Sequence, residues 1–114
     1  MGEVVLPVPI LPGKRAAFEE VCKAMSGPRR AEAAQALKSH GTTKESWFLE
    51  SGPGGDRCIV YYESGDPMGA LQRFASSKQP FDLWLKERIK EVTGIDFNHP
   101  PSIELPRQLY REGY

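Results

Sequence analysis

Apolar and polar residues alternate from position 4 to position 10. Val4, Leu6, Val8 and Ile10 fall on one face, with Val5, Pro7 and Pro9 on the other, the period-two signature of a strand. Proline has no backbone N–H to give a ladder, so this strand is predicted at a sheet edge or with a bulge. The period then changes. Over residues 12–25, Phe18, Val21, Cys22 and Met25 follow i, i+3, i+4, i+7 spacing, opposite Lys14, Arg15, Glu19, Glu20 and Lys23. That pattern predicts an amphipathic helix, closed by Ser26-Gly27-Pro28. A second helical stretch, 29–40, has only a thin stripe of Ala33, Ala34 and Leu37. It should pack shallowly and end at Gly41, a good residue just past a helix C-terminus.

Residues 45–50 and 57–63 are rich in aromatic and β-branched side chains and read as strands. Asp66-Pro67 supplies an N-cap and a first-turn proline for a helix to about residue 77, with Leu71, Phe74 and Ala75 facing inward. Pro80 opens a last helix that ends at Gly94. Phe81, Trp84, Leu85, Ile89 and Val92 form its apolar stripe, and Asp82, Lys86, Glu87, Lys90 and Glu91 its predicted wet face. A loop, a short strand at 102–105 and a polar tail at 107–114 complete the chain. The order is β-α-β-β-α-β with each helical crossover split in two. This predicts an α+β, ferredoxin-like fold over residues 1–114, with a four-stranded antiparallel sheet and helices on one face.

The stretch "ESGPGGDR", residues 50–57, leads from strand to strand. A phosphate-binding glycine loop leads from a strand into a helix and ends in Lys-Ser/Thr, so this one reads as a hairpin turn. Pairing Glu50 with Arg57 also opposes Lys44 and Glu63, and a slip of one residue breaks both charge pairs. The register sorts the side chains. Glu45, Trp47, Leu49, Cys58, Val60 and Tyr62 share one face, expected beneath the helices. The other face carries Phe48, Ile59 and Tyr61 at its centre, an apolar patch that predicts a partner, most simply a second copy about a two-fold axis.

Composition narrows the partners. Of the 114 residues, 15 are basic and 15 acidic; with no basic excess or stripe, nucleic acid is not expected. No apolar run approaches a membrane span, and the start of the chain makes a poor signal peptide, so a cytoplasmic location is expected. Cys22 and Cys58 form no CxxC spacing and read as reduced thiols in apolar surroundings. His40 and His99 stand at unrelated places, so no metal site is predicted, and no motif calls for a cofactor.

Candidate chemistry lies on the helix-side face. Glu45 beside Trp47 and Tyr62 is a carboxylate among aromatics, where loss of water would favour its neutral form. His40, at a helix C-terminus, is either a stabilising charge there or a proton shuttle or haem ligand reaching toward Glu45. Trp47, Tyr62 and Trp84 are candidate walls for a flat ligand, although aromatics at such spacing more often build core.

The phrases "GPRRAEAAQALKSHGTTKESWFLE", "GGDRCIVYYESGDP" and "PFDLWLKERIKEVTGIDF" resemble a group of small bacterial proteins of unknown function in the dimeric α+β barrel superfamily, over most of residues 3–97. The resemblance implies the ferredoxin-like fold, a two-fold dimer and pockets between helices and sheet, and leaves Tyr110 and Tyr114 as candidate anchors of a tail reaching the partner subunit. It implies no single reaction, because relatives include monooxygenases, isomerases, haem-degrading enzymes and non-catalytic binders. Two readings stand. One is a homodimer that binds a small aromatic or apolar ligand. The alternative is a cofactor-independent monooxygenase or isomerase in which Glu45 or His40 moves the proton.

Overall fold

A computed structural model describes residues 2–113; Tyr114, the outer candidate anchor of the tail, lies outside them. Three strands, β1 (Gly2–Pro9), β2 (Thr42–Gly52) and β3 (Gly55–Ser64), form an antiparallel sheet in the order β1-β3-β2. Helices α1 (Arg15–Ser26) and α2 (Arg30–His40) connect β1 to β2, and α3 (Pro67–Ser76) and α4 (Pro80–Thr93) follow β3. The hairpin register is the one the charge pairs select: Glu45 opposes Tyr62, Trp47 opposes Val60, Phe48 opposes Ile59 and Glu50 opposes Arg57. Arg57 Nε donates to Glu50 Oε1 at 2.7 Å, and Lys44 Nζ lies 3.9 Å from Glu63.

The predicted fourth strand does not form. Among the described residues the sheet has three strands, so the fold is α+β but not the four-stranded ferredoxin-like arrangement. Residues 102–105 lie between Pro101 and Pro106 and carry no regular structure. Proline on both sides fixes φ and removes donors, so four residues cannot sustain a ladder. Pro7 and Pro9 stand two apart in β1, which suits a strand that pairs on one side only. Leu105 instead packs its side chain against the cluster of Val4, Tyr62 and Ala70.

The core lies between the sheet and the helices. Val4, Val8 and Ile10 are buried while Val5, Pro7 and Pro9 are exposed, as the alternation requires. Phe18, Val21, Phe81, Leu85 and Val92 supply the helical side. Helix α2 has no buried residue and packs shallowly through Ala33, Ala36 and Leu37. It ends at Gly41 in the left-handed region, φ 78°. Asp66 caps α3 through a hydrogen bond from the Gly69 N–H to Oδ1 at 3.1 Å. One helix face departs from its pattern: Asp82 and Lys86, predicted on the wet side of α4, are 0 % exposed.

Candidate functional site

A half-open cavity of about 810 Å³ separates the helices from the sheet. Its floor is Leu6, Val8, Trp47, Cys58, Val60 and Tyr62, and its roof includes Phe18, Phe74, Phe81 and Leu85. Tight packing would normally remove such a space. Several of its apolar walls, among them Leu6, Trp47, Val60, Leu71 and Phe74, are only half-buried, since they face the cavity instead of one another. The cavity reaches the edge of β2 at Ser46 and Phe48.

Glu45, His40 and Asp82 form the polar end of this cavity. The period-two geometry of β2 sends Glu45 and Trp47 to the same face, two residues apart, and Trp47 Nε1 donates to Glu45 Oε2 at 2.7 Å. Glu45 is an exposed residue that lines the cavity, and protein crowds its carboxyl group. Burial therefore raises its pKa, while the Trp47 hydrogen bond and the nearby His40 charge act in the opposite direction. Tyr62 is buried, and burial raises its phenol pKa, followed by the proximity of Glu45. Its hydroxyl donates to the Pro67 carbonyl at 3.0 Å.

His40 ends α2, where the Gly41 turn stops the helix beside α4. Its Nε2 lies 3.0 Å from Asp82 Oδ2, and Ser77 Oγ donates to that same oxygen at 2.6 Å. Asp82 Oδ1 is buried without a hydrogen-bond partner. The Phe74 ring meets the imidazole edge-on, centroids 5.5 Å apart. One turn along α4, Lys86 Nζ donates to the carbonyls of Ala75 at 2.9 Å and Ser77 at 2.8 Å, closing the end of α3. Lys86 lies fully enclosed beneath a thin layer of protein. Loss of water lowers its pKa, and Lys78 adds to the effect against the opposing charges of Asp82 and Asp96.

The cavity thus brings together Glu45, His40, Trp47 and Tyr62. Trp84 is not among its walls; it lies under the Arg29 guanidinium, 4.3 Å from ring centroid to Cζ, and tilts against Phe81. Phe48, Ile59 and Tyr61 alternate to the opposite face. There Phe48 is 57 % exposed, and Tyr61 is half-buried and donates to Glu3 and Glu63. His99 sits exposed in the loop after α4. Cys22 and Cys58 are free thiols that line the cavity, and burial pushes Cys58 up to about 12. No cluster of three His, Cys, Asp or Glu residues able to hold a metal ion occurs among the described residues, and none of their helices is long and apolar enough to cross a membrane. Asp82 is the site residue that sequence reasoning missed. The one available signal was its place two residues after Pro80, in the first turn of α4, where a carboxylate is favoured whether buried or not.

Fold and cavity together define a class: a small α+β protein with an apolar cleft between a three-stranded sheet and its helices, polar at one end. Within that class the chain belongs to a family of unknown function (DUF6176), whose profile matches residues 3–106. The match gives the family, and not the superfamily or bacterial source that the sequence phrases suggest. No curated protein and no solved structure matches the chain.

Proposed function

We propose that this protein binds a small aromatic or apolar molecule in the cleft and works as a homodimer paired through the outer face of its sheet. The cavity carries the first part: about 810 Å³ of space lined mainly by apolar side chains, within the range of small-molecule sites. A few convergent polar groups at one end are what such sites use to orient a ligand, and Glu45, held by Trp47, supplies one. The exposed Phe48 and Val5 on the outer face support the dimer.

Trp47 reports on the ligand because it forms part of the floor. Titration with small aromatic ketones and phenols should change its fluorescence and raise the melting temperature. Val60→Trp, which fills the floor, should abolish both effects. Equal responses from wild type and Val60→Trp would exclude the cleft as the site.

The enzymatic reading, a cofactor-independent monooxygenase or isomerase, draws on one further observation. Burial shifts Glu45 toward its neutral form while a neighbouring histidine acts against it, the kind of environment that suits proton transfer. Glu45→Gln keeps the shape of the side chain and should remove turnover while leaving the fold intact.

A further inference from the structure

The polar end of the cavity holds a buried pair with no counterpart in the apolar pattern of α4. Asp82 is fully buried and lies 3.0 Å from His40 Nε2. A clamp between α2 and α4 would require that contact alone. Here the imidazole is also part of the cavity wall, and its other nitrogen, Nδ1, has no hydrogen-bond partner among the described residues. With Asp82 accepting from Nε2–H, the neutral ring carries its lone pair on Nδ1. Phe74 fixes the plane of the ring, and Ser77 fixes Asp82.

We propose that His40 is a general base and Asp82 its positioning residue, acting with Glu45 as general acid on a small, neutral, apolar ketone. The proposal rests on the cleft being a ligand site and assigns it a reaction. His40 Nδ1 takes the proton from the carbon beside the carbonyl. The C–H electron pair becomes the enol double bond, and the carbonyl π pair moves to oxygen, which takes the proton of Glu45. Return of a proton to the same carbon regenerates the ketone, and return to a conjugated position isomerises it. Nothing is oxidised or reduced, and both side chains recover their starting forms.

The surroundings fit these roles. Burial favours the protonated form of Glu45, and an acid and a base that line one cavity are what such a reaction requires. The charged groups around His40 are Asp82 and, beyond it, Lys86 from α4, Glu45 from β2, and Arg73 of α3, whose Nε donates to the His40 carbonyl at 2.8 Å. The substrate is neutral at its reacting end because Asp82 and an ionised Glu45 would repel an anion there; Arg30 and Arg88 line the cavity elsewhere. It is largely apolar because most of the remaining walls are, with those two arginines and a few hydroxyl side chains as exceptions.

The test uses the full chain and 2-tetralone in deuterium oxide, with loss of the α-proton signal followed by NMR and binding followed by tryptophan fluorescence. Wild type should exceed free imidazole at equal concentration by about 10²-fold or more. His40→Gln should fall to the imidazole level while still binding. Asp82→Asn should lower exchange at least about 10-fold, because an amide N–H donating to Nε2 forces the ring proton onto Nδ1. Nitrogen-15 spectra should show that change of tautomer, and loss of exchange with ketone binding and folding kept is what a purely structural role would not produce. If Asp82→Asn fails to fold, His40→Gln and the wild-type tautomer decide, and a proton on Nδ1 in wild type overturns the proposal. Binding with exchange no faster than free imidazole overturns the reaction and leaves the ligand site standing. Failure of the ketone to bind overturns both.

Discussion

Glu45 ties the chemistry of the cleft to the stability of the fold. Burial raises its pKa above the ordinary value, so over a window starting near that value the folded chain holds a proton that the unfolded chain has released. Stability from this group is fully present below the window and is lost as pH rises through it. Glu45→Gln cannot ionise and escapes that loss. Melting temperatures should coincide with wild type near pH 4 and exceed it by about 1–3 °C at pH 8. A variant less stable than wild type at pH 8 would mean that the carboxylate bond to Trp47 outweighs burial. The position of Glu45 beside Trp47 and Tyr62 was legible because two charge pairs pin the hairpin register, and a slip of one residue would invert the face. Asp82 and Lys86 were not legible. Their i, i+4 spacing is also that of an exposed ion pair on a helix surface. Only the packed structure shows that α2 ends against one of them and α3 ends over the other.

At the scale of elements, the junction of α2, α3 and α4 is held by a few polar contacts at helix ends. The Lys86 ammonium accounts for two carbonyls at the end of α3, Ala75 in its last turn and Ser77 just past it, which a helix C-terminus otherwise leaves to water. Lys86→Met fills similar space but leaves both carbonyls and Asp82 without the nearby cation. It should cost about 2–3 kcal/mol in urea unfolding, and an unchanged midpoint would show that water replaces the ammonium without loss. At the end of α2, Gly41 adopts φ 78°, and a Cβ there would stand 2.9 Å from Arg73 Nη2. Gly41→Ala should therefore cost about 1 kcal/mol or more in the same assay, and displacement of Arg73 from the His40 carbonyl would add to it. The Gly41 cap was readable from a single residue, as was the Asp66 N-cap, because both act within their own helix; the Lys86 contacts, made from another helix, were not. The missing fourth strand was not readable: residues 102–105 contain Ile103 and Leu105 in alternation, yet pairing needs a neighbouring edge and backbone donors, and alternation shows neither.

For the whole molecule, the two faces of the sheet differ in what covers them. One lies beneath the helices. The other leaves Phe48 57 % and Val5 48 % exposed, with Ile59 and Tyr61 half-buried between them. Pro7 and Pro9 on the same face add further apolar surface. Because β3 is central in the sheet, Ile59 and Tyr61 separate Val5 on β1 from Phe48 on β2, so the exposed groups form one stripe across all three strands. A stripe of this kind, rimmed by Lys44, Glu50 and Arg57, has the apolar centre and charged border of a pairing surface. A second copy about a two-fold axis would bring each Phe48 onto a counterpart stripe and remove it from water twice per dimer. Phe48→Glu replaces both rings with carboxylates. At about 2 kcal/mol or more for loss of a central aromatic anchor, the dimer should weaken by at least about 30-fold. Sedimentation velocity should show a dimer for wild type and a monomer for Phe48→Glu at the same concentration, with matching circular dichroism because the ring supports no core cluster. Phe48 also touches the rim of the cleft, so the ligand response of the site is better checked in a monomer made by Ile59→Glu, which is not among the cavity walls and should keep the Trp47 fluorescence response. A monomeric wild type, or a variant that remains a dimer, would place the assembly elsewhere and leave the stripe as surface for a different partner.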